Sequence, residues 1–264
     1  MKISFFKFQG CGNDFIIIDD RDEVFSLPNN KIENLCNRRF GIGADGLILI
    51  RKHTEADFKM VYFNSDGDIG SMCGNGSRCA VSFAFDLGLI KENCTFLAAD
   101  GMHKAEIKSI TDKSEKMVAV QMCDVEGIEI NSDFIFLNTG SPHVVIRQTN
   151  LDEVNIFEEG RKIRLNERFK AKGTNVNFIE KENDFLKVRT YERGVEDETL
   201  SCGTGVTASA IASSVINSSN GKISCKIKTP GGELLVSFNR ENNSANNVWL
   251  QGPATMVFKG EIEI

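Results

Sequence analysis

Short apolar runs bounded by glycine, asparagine and aspartate dominate this chain, and most are too short for a helical period to develop. Residues 3–8 alternate weakly, and Phe15-Ile16-Ile17-Ile18 reads as a buried strand after the turn Gly10-Cys11-Gly12-Asn13-Asp14. Leu47-Ile48-Leu49-Ile50, Phe58 to Phe63, and the runs 95–99, 103–107 and 117–122 read as further strands. A stripe of Ile32, Leu35, Cys36 and Phe40 predicts a helix from Asn29 or Asn30 to Arg39, with an Asx cap and Gly41 as its stop. A small-residue helix is predicted after Cys73, reaching about Leu87. In the second half, strands are predicted at 134–137, 143–147, 176–180, 185–191, 223–228, 233–238, 247–251 and 254–263. Helices are predicted there from about Asp152 to Glu159 and from Thr204 to about Asn217. The polar segments Asn217 to Asn220 and Arg240 to Asn247 are too short to be linkers.

The order of these elements repeats. Met72-Cys73-Gly74-Asn75-Gly76 and Ser201-Cys202-Gly203-Thr204-Gly205 each run into a small, apolar helical segment, at an offset of 202 − 73 = 129 residues. Other landmarks keep nearly the same spacing. Gly10 through Asp14 answers Gly140 through His143, and Gly43 before Leu47 answers Gly173 before Asn177. The strand ending at Asn64 and Gly67 answers the one ending at Glu192 and Gly194, and Asp100-Gly101 answers Pro230-Gly231. A repeat of about half the chain divides its 264 residues into two domains of ordinary size. The Ala, Ser and Thr content after Cys202 suits a helix wrapped closely by sheet. Each half therefore reads as strands around one central helix, an α+β plan.

The matched cysteine boxes are the main candidates for chemistry. A cysteine directly before a helix meets backbone N–H groups that lack intrahelical acceptors, and the positive end of the helix dipole. Those groups hold a carboxylate and help lower a thiol's pKa. Two such thiols in one chain point to a paired acid and base. A zinc site is disfavoured, since the sequence has no Cys-x-x-Cys pair and its three histidines, His53, His103 and His143, lie in unrelated contexts. Cys36 falls on an apolar stripe and reads as core, while Cys79 has a helix position, about two turns in, that favours packing over a bridge to Cys73. Cys11, Cys94, Cys123 and Cys225 have no such glycine frame and read as structural. His143 stands at the repeat position of Asn13 inside a glycine-framed turn. Arg193 offers a bidentate clamp for a carboxylate, and Glu192 beside it an acceptor for an ammonium group.

Composition narrows the partners. With 31 basic and 37 acidic residues the formal net charge is −6, and no basic block or stripe suggests nucleic acid or an anionic membrane surface. The first residues, Met1 to Phe8, carry no long apolar stretch with a cleavage site, and no run approaches the length needed to span a bilayer. Eight cysteines without a secretory signal read as reduced thiols in a cytoplasmic compartment.

Taken together, the motifs resemble the diaminopimelate epimerase family. The matching blocks are Gly10 to Phe15, Gly41 to Gly46, Phe63 to Gly67, Cys73 to Cys79, Gly140 to His143, Asn175 to Phe178, Glu192 to Gly194, Cys202 to Gly205 and Pro230 to Leu234. The resemblance implies interconversion of LL- and meso-2,6-diaminoheptanedioate, on the route to lysine and peptidoglycan, without pyridoxal phosphate, other cofactor or metal. It implies that Cys73 and Cys202 are the acid–base thiols, with His143 and Glu192 tuning their pKa values. Substrate contacts would come from Asn13, Asn64, Asn175, Glu192 and Arg193, and from the Gly74-Asn75 and Gly203-Thr204 backbone. The implied fold is two pseudo-symmetric halves, each a curved, mainly antiparallel sheet around a central helix, with domains 1–117 plus 251–264 and 118–250. A homodimer is also implied.

Departures from the family pattern are Ser141, where many members carry Asn, and Gly46, where some carry Gln. The loop from Glu192 to Cys202 is one residue longer than in some relatives. Proline racemase-like enzymes share the two-cysteine logic but typically carry His at the place of Asn75, and PhzF-like isomerases lack the pair. A thiol hydrolase with Cys202 as nucleophile and His143 as base would leave the Cys73 box unexplained. A non-catalytic amino-acid-binding module would bind the same ligand without exchanging its α-proton.

Overall fold

The computed structural model describes residues 2–263. They form two compact units, Met1–Val120 with Gly252–Ile264, and Gln121–Gln251. In chain order the first part carries β1 (Lys2–Gly10), β2 (Asn13–Asp19), α1 (Asn29–Cys36), β3 (Gly46–Arg51), β4 (Phe58–Asn64), α2 (Gly74–Asp86), β5 (Asn93–Ala98), β6 (Gly101–Ile110) and β7 (Glu115–Gln121). The second carries β8 (Glu129–Ile130), β9 (Ile135–Asn138), β10 (Pro142–Arg147), α3 (Ile156–Arg164), β11 (Asn175–Glu182), β12 (Phe185–Glu192), β13 (Asp197–Thr199), α4 (Gly203–Ile216), β14 (Gly221–Thr229) and β15 (Gly232–Glu241). The last strand, β16 (Ser244–Glu263), begins in the second unit and ends in the first.

In the first unit β1 to β7 pair in chain order, β7 pairs with β16 at Gly252–Thr255, and β16 returns to β1, so the eight strands close into a barrel. The β2–β3 and β4–β5 steps are parallel and the rest antiparallel. Inside lies α2, whose residues from Gly74 to Ala84 are all buried and which packs on β1, β2, β3, β4 and β6. A helix built from Gly74, Gly76, Ala80, Val81, Phe83 and Ala84 has no wide solvent-facing stripe and is stable only when covered all round. The continuous apolar runs of β2 and β3 follow from being covered on both faces. Phe15, Ile17, Ile48 and Ile50 join the cluster around α2, while Ile16, Ile18, Leu47 and Leu49 pack with Ile32, Leu35 and Cys36 of α1.

The second unit repeats this order as β9, β10, β11, β12, β14, β15 and β16, with β10–β11 and β12–β14 parallel. Its central helix α4 is buried from Gly203 to Ser214 apart from Thr204 and Ser213, and it contacts β9, β10, β11, β12, β14 and β15. On the other face of the sheet α3 packs on β11 and β12, where Val144, Ile156, Val176, Phe178 and Tyr191 form a separate cluster.

Three expected elements differ. The helix expected to reach Arg39 ends at Cys36, because the Asn37 side chain accepts the Arg39 and Phe40 N–H groups and turns the chain. Phe40 is thereby left 87 % exposed instead of on the buried stripe. The helix expected over 152–159 is a 3₁₀ turn, Leu151–Glu153, followed by α3, whose start is fixed by Asn155 accepting the Glu158 N–H at 3.3 Å. The two strands expected at 247–251 and 254–263 are one strand running through Pro253. Proline has no N–H to give a ladder, but pairing of β16 with β15 stops at Gln251 and pairing with β1 starts at Thr255. Pro253 falls in the gap where no donor is needed on that edge.

Phe58 and Phe96 are fully buried and stack at 5.3 Å in the barrel core. Phe58→Ala is expected to lower unfolding free energy by about 3–5 kcal/mol, read as a fall in the urea midpoint with an unchanged slope.

Candidate functional site

Both central helices start on a cysteine in the same backbone conformation. Cys73 has φ −113° and ψ 117°, and Cys202 has φ −111° and ψ 113°, each the N-cap residue of its helix. The internal repeat is thus exact enough to place two thiols in equivalent local frames. Gly74 and Asn75 open α2 as Gly203 and Thr204 open α4, and N–H groups at these first positions have no intrahelical acceptor.

In the first unit Cys73 Sγ accepts the Gly76 N–H at 3.5 Å and lies 3.6 Å from Asn13 Oδ1. Asn75 Nδ2 donates to the same Asn13 oxygen at 3.3 Å, and Asn13 Nδ2 donates to Asp45 Oδ2 at 2.7 Å. Arg78, fully buried one turn into α2, donates to Asn75 Oδ1 at 2.9 Å and to the Gly74 and Pro253 carbonyls at 3.4 Å each. Asn13, Gly74 and Asn75 are therefore brought together around Cys73. Asn64 stands at the end of β4, opposite Gly46 in the β3–β4 register.

The surrounding charges come from residues far apart in sequence. Arg38 holds Asp14 through its two terminal guanidinium nitrogens, at 2.9 and 2.6 Å, and Asp45 at 2.7 Å. The buried Lys7 lies 2.8 Å from Asp14. Burial alone would raise the Asp14 pKa, but Arg38 and Lys7 outweigh it and hold the carboxyl well below the usual carboxylate range.

In the second unit Cys202 Sγ lies 3.5 Å from Thr204 Oγ1, and the Thr204 carbonyl accepts the Thr139 hydroxyl at 2.9 Å. Gly205 is required by space, since a Cβ there would lie 2.4 Å from Asn177 Oδ1 and 3.2 Å from Cys202 Cβ. His143, Asn175 and Asn177 come together on the parallel β10–β11 pair. The Asn177 amide is set by Thr190 Oγ1 donating to its Oδ1 at 3.0 Å and by its own Nδ2 donating to the Val144 carbonyl at 3.1 Å. Its Nδ2 consequently faces His143 Nδ1 at 3.1 Å, and the Asn175 Nδ2 lies 3.5 Å from His143 Nε2, so an amide NH₂ stands at each ring nitrogen. Burial, reinforced by the nearby Arg193 charge, pushes the His143 pKa down to about 3. His143 is a neutral imidazole at neutral pH, so it acts on neighbours as an oriented dipole and not as a cation.

Asn175 Oδ1 accepts the Arg193 backbone N–H at 2.8 Å, which ties the start of β11 to the end of β12. Glu192 Oε2 accepts the Thr199 hydroxyl at 2.9 Å, and the exposed Arg193 guanidinium donates to the Lys172 carbonyl at 3.0 Å. Buried thiols elsewhere in the chain are held in the protonated form. Burial pushes Cys36 up to about 11 and Cys94 up to about 12, and raises Cys79 as well. Cys11 occupies the expected turn, between β1 and β2, with φ 54°, and Arg78 reaches its Sγ at 3.8 Å.

Asp14, Arg38, Asp45, Arg78, Asn177 and Thr190 were not singled out by sequence reasoning, though each orients a candidate residue or its neighbour. One signal was available: an arginine inside the small, apolar α2 segment has to be buried and satisfied. Among the described residues, no group of three or more His, Cys, Asp or Glu side chains is placed to hold a metal ion.

Comparison with known proteins follows the same two-part pattern. A family model described as diaminopimelate epimerase matches residues 5–127 and again residues 135–257. A diaminopimelate epimerase of Flavobacterium psychrophilum is 48 % identical over 259 residues, covering 97 % of this chain and 99 % of the relative. One from Aquifex aeolicus is 40 % identical, covering 98 % of each. Among solved structures, a PhzF-family phenazine biosynthesis protein of Bacillus anthracis superposes with TM-score 0.77 at 14 % identity over 100 % of both chains. A probable proline racemase of Agrobacterium radiobacter K84 gives 0.74 at 13 %, covering 99 % of this chain and 93 % of that one. At such low identity these two share the fold.

The depressed His143 value makes a pH prediction. Unfolded chains take up a proton at this residue near the ordinary value of about 6.5, while the folded chain does not until about 3. Its contribution to stability is complete above about 6.5 and is lost as pH falls toward 3, at up to roughly 1.4 kcal/mol per pH unit. Urea unfolding between pH 7 and 4 is expected to show a shallower loss of stability for His143→Gln than for the unsubstituted chain.

Proposed function

This chain belongs to the diaminopimelate epimerase family, and we propose that it interconverts LL- and meso-2,6-diaminoheptanedioate with Cys73 and Cys202 as its acid and base. The observation that carries this reading is the doubled thiol cap, two cysteines in matching backbone frames at the starts of two buried helices. Inverting a single tetrahedral carbon needs a base that removes hydrogen from one side and an acid that returns it on the other. One thiolate takes the α-hydrogen as a proton, and the C–H electron pair moves into the adjacent carboxylate as an enediolate. The second thiol then delivers its proton to the opposite face of the same carbon. After one turnover the thiol and thiolate have exchanged roles and no other atom has been gained or lost.

An α-proton beside an ionised carboxylate is a weak acid, and positioned acid–base catalysis supplies only about 10²- to 10⁴-fold. The larger share falls to donors aimed at the carboxylate as charge builds on it. The first N–H groups of the two helices, at Gly74-Asn75 and Gly203-Thr204, are suited to this, because their dipoles are fixed before substrate arrives. Arg193 and Glu192 would hold the distal carboxylate and ammonium, with Asn13, Asn64 and Asn175 completing the contacts. Neutral His143 would tune a thiol by its dipole, and Glu192 by its negative charge. A reducing cytoplasm suits a site whose acid and base are both thiols, and the family resemblance supports a homodimer.

Cys73→Ala and Cys202→Ala are each expected to reduce epimerisation by roughly 10⁴-fold or more while the fold is retained. Turnover would be followed by proton NMR with diaminopimelate, and folding by circular dichroism. Near-normal turnover in either variant would remove the two-thiol scheme.

A further inference from the structure

Asp45 Oδ2 accepts from Asn13 Nδ2 at 2.7 Å and from the Asp14 backbone N–H at 3.2 Å. An ionised carboxylate only accepts, so the Asn13 amide turns its NH₂ toward Asp45 and its oxygen the other way. That oxygen meets Cys73 Sγ at 3.6 Å. The neighbouring amide does not reverse this arrangement. Asn75 Oδ1 is taken by Arg78 at 2.9 Å, so Asn75 presents its own NH₂ to Asn13 Oδ1 at 3.3 Å. Both amides are thus fixed from outside, one by a carboxylate and one by a guanidinium. The Asn13 oxygen offers Cys73 lone pairs alone, a partner for S–H and not for S⁻.

We propose that Asp45 is a positioning residue that works through the Asn13 amide to keep Cys73 as the proton-bearing thiol before substrate arrives. This rests on the reading of Cys73 as one of the two acid–base groups. The Gly76 N–H and the start of α2 favour the thiolate, so without a fixed acceptor the helix cap alone would discharge the acid. Arg38 holds Asp45 in place, at 2.7 Å from its other oxygen. Other charged groups about this turn are Asp14, Lys7, Arg78 and Glu115, with the thiols of Cys11 and Cys79 raised by burial. Of these groups, Asp45 is the one that holds the Asn13 NH₂.

The test is site-resolved alkylation of the full, reduced chain by iodoacetamide from pH 6 to 10, with Cys73 and Cys202 peptides quantified separately by mass spectrometry. In Asp45→Ala the Asn13 amide loses what orients it. Its Cys73 midpoint is expected to fall by about one pH unit, giving about tenfold faster alkylation at pH 7. Asp45→Asn keeps one acceptor oxygen for the Asn13 NH₂ and is expected to stay near the unsubstituted chain, with the Cys202 midpoint constant throughout. The half-exposed Asp45 side chain, at 42 %, makes both substitutions compatible with folding, checked by thermal melts. A Cys73 midpoint unmoved in Asp45→Ala would overturn the proposal. An equal fall in both variants would do so too, since it would assign the effect to charge alone. Alkylation needs no turnover, so its outcome is separate from whether Cys73 is catalytic.

Discussion

A helix can place a thiol among unsatisfied N–H groups only at its first residue, and it can keep water off that thiol only if the helix itself is buried. Both demands meet in α2 and α4. Their small and apolar residues let strands approach from several sides, which buries the helix body and leaves the capped end for chemistry. The glycines after each cysteine serve the same demand. At Gly205 any side chain would collide with Asn177 and Cys202, and at Gly76 a Cβ would press on Ile48 and Phe15. The closed strand order of the first unit and the repeated order of the second follow as the covering that such helices require.

The two halves share a backbone plan but differ in what stands behind the thiol. Behind Cys73 is an amide held by Asp45, itself clamped by Arg38 and bordered by Asp14 and Lys7. In the second half the repeat position of Asn13 carries a buried neutral imidazole, His143, which meets the Asn177 amide that Thr190 sets. Repetition supplies matched geometry, and divergence of the supporting residues supplies unlike environments. An acid and a base drawn from the same side-chain type, as proposed for Cys73 and Cys202, need both.

Much of this was legible in the sequence, for physical reasons. The Cys-Gly-x-Gly boxes announced helix starts, the apolar runs of β2 and β3 announced strands, and the offset of landmarks announced two copies of one unit. The family placement on residue motifs agrees with the doubled family match and near-full-length relatives. What was not legible depended on contacts between distant segments. Pro253 looked like a break until the handover of β16 from β15 to β1 removed the need for its N–H. Asp45 gave no local signal, because its meaning lies in Asn13, 32 positions earlier. The early end of α1 and the split before α3 turned on single asparagine side chains, which compete with helix hydrogen bonds at a level that periodicity does not register.

The central claim is that two thiols act on opposite faces of one carbon, and early-conversion labelling in D₂O tests it most directly. Thiols exchange their protons with solvent, so the proton delivered to the product is a solvent deuteron while the abstracted one leaves on the other sulfur. The account predicts deuterium at the α-carbon of the newly formed epimer, with recovered starting epimer still carrying hydrogen there. Equal labelling of both epimers from the start would mean that a single base returns protons to either face, and would contradict it.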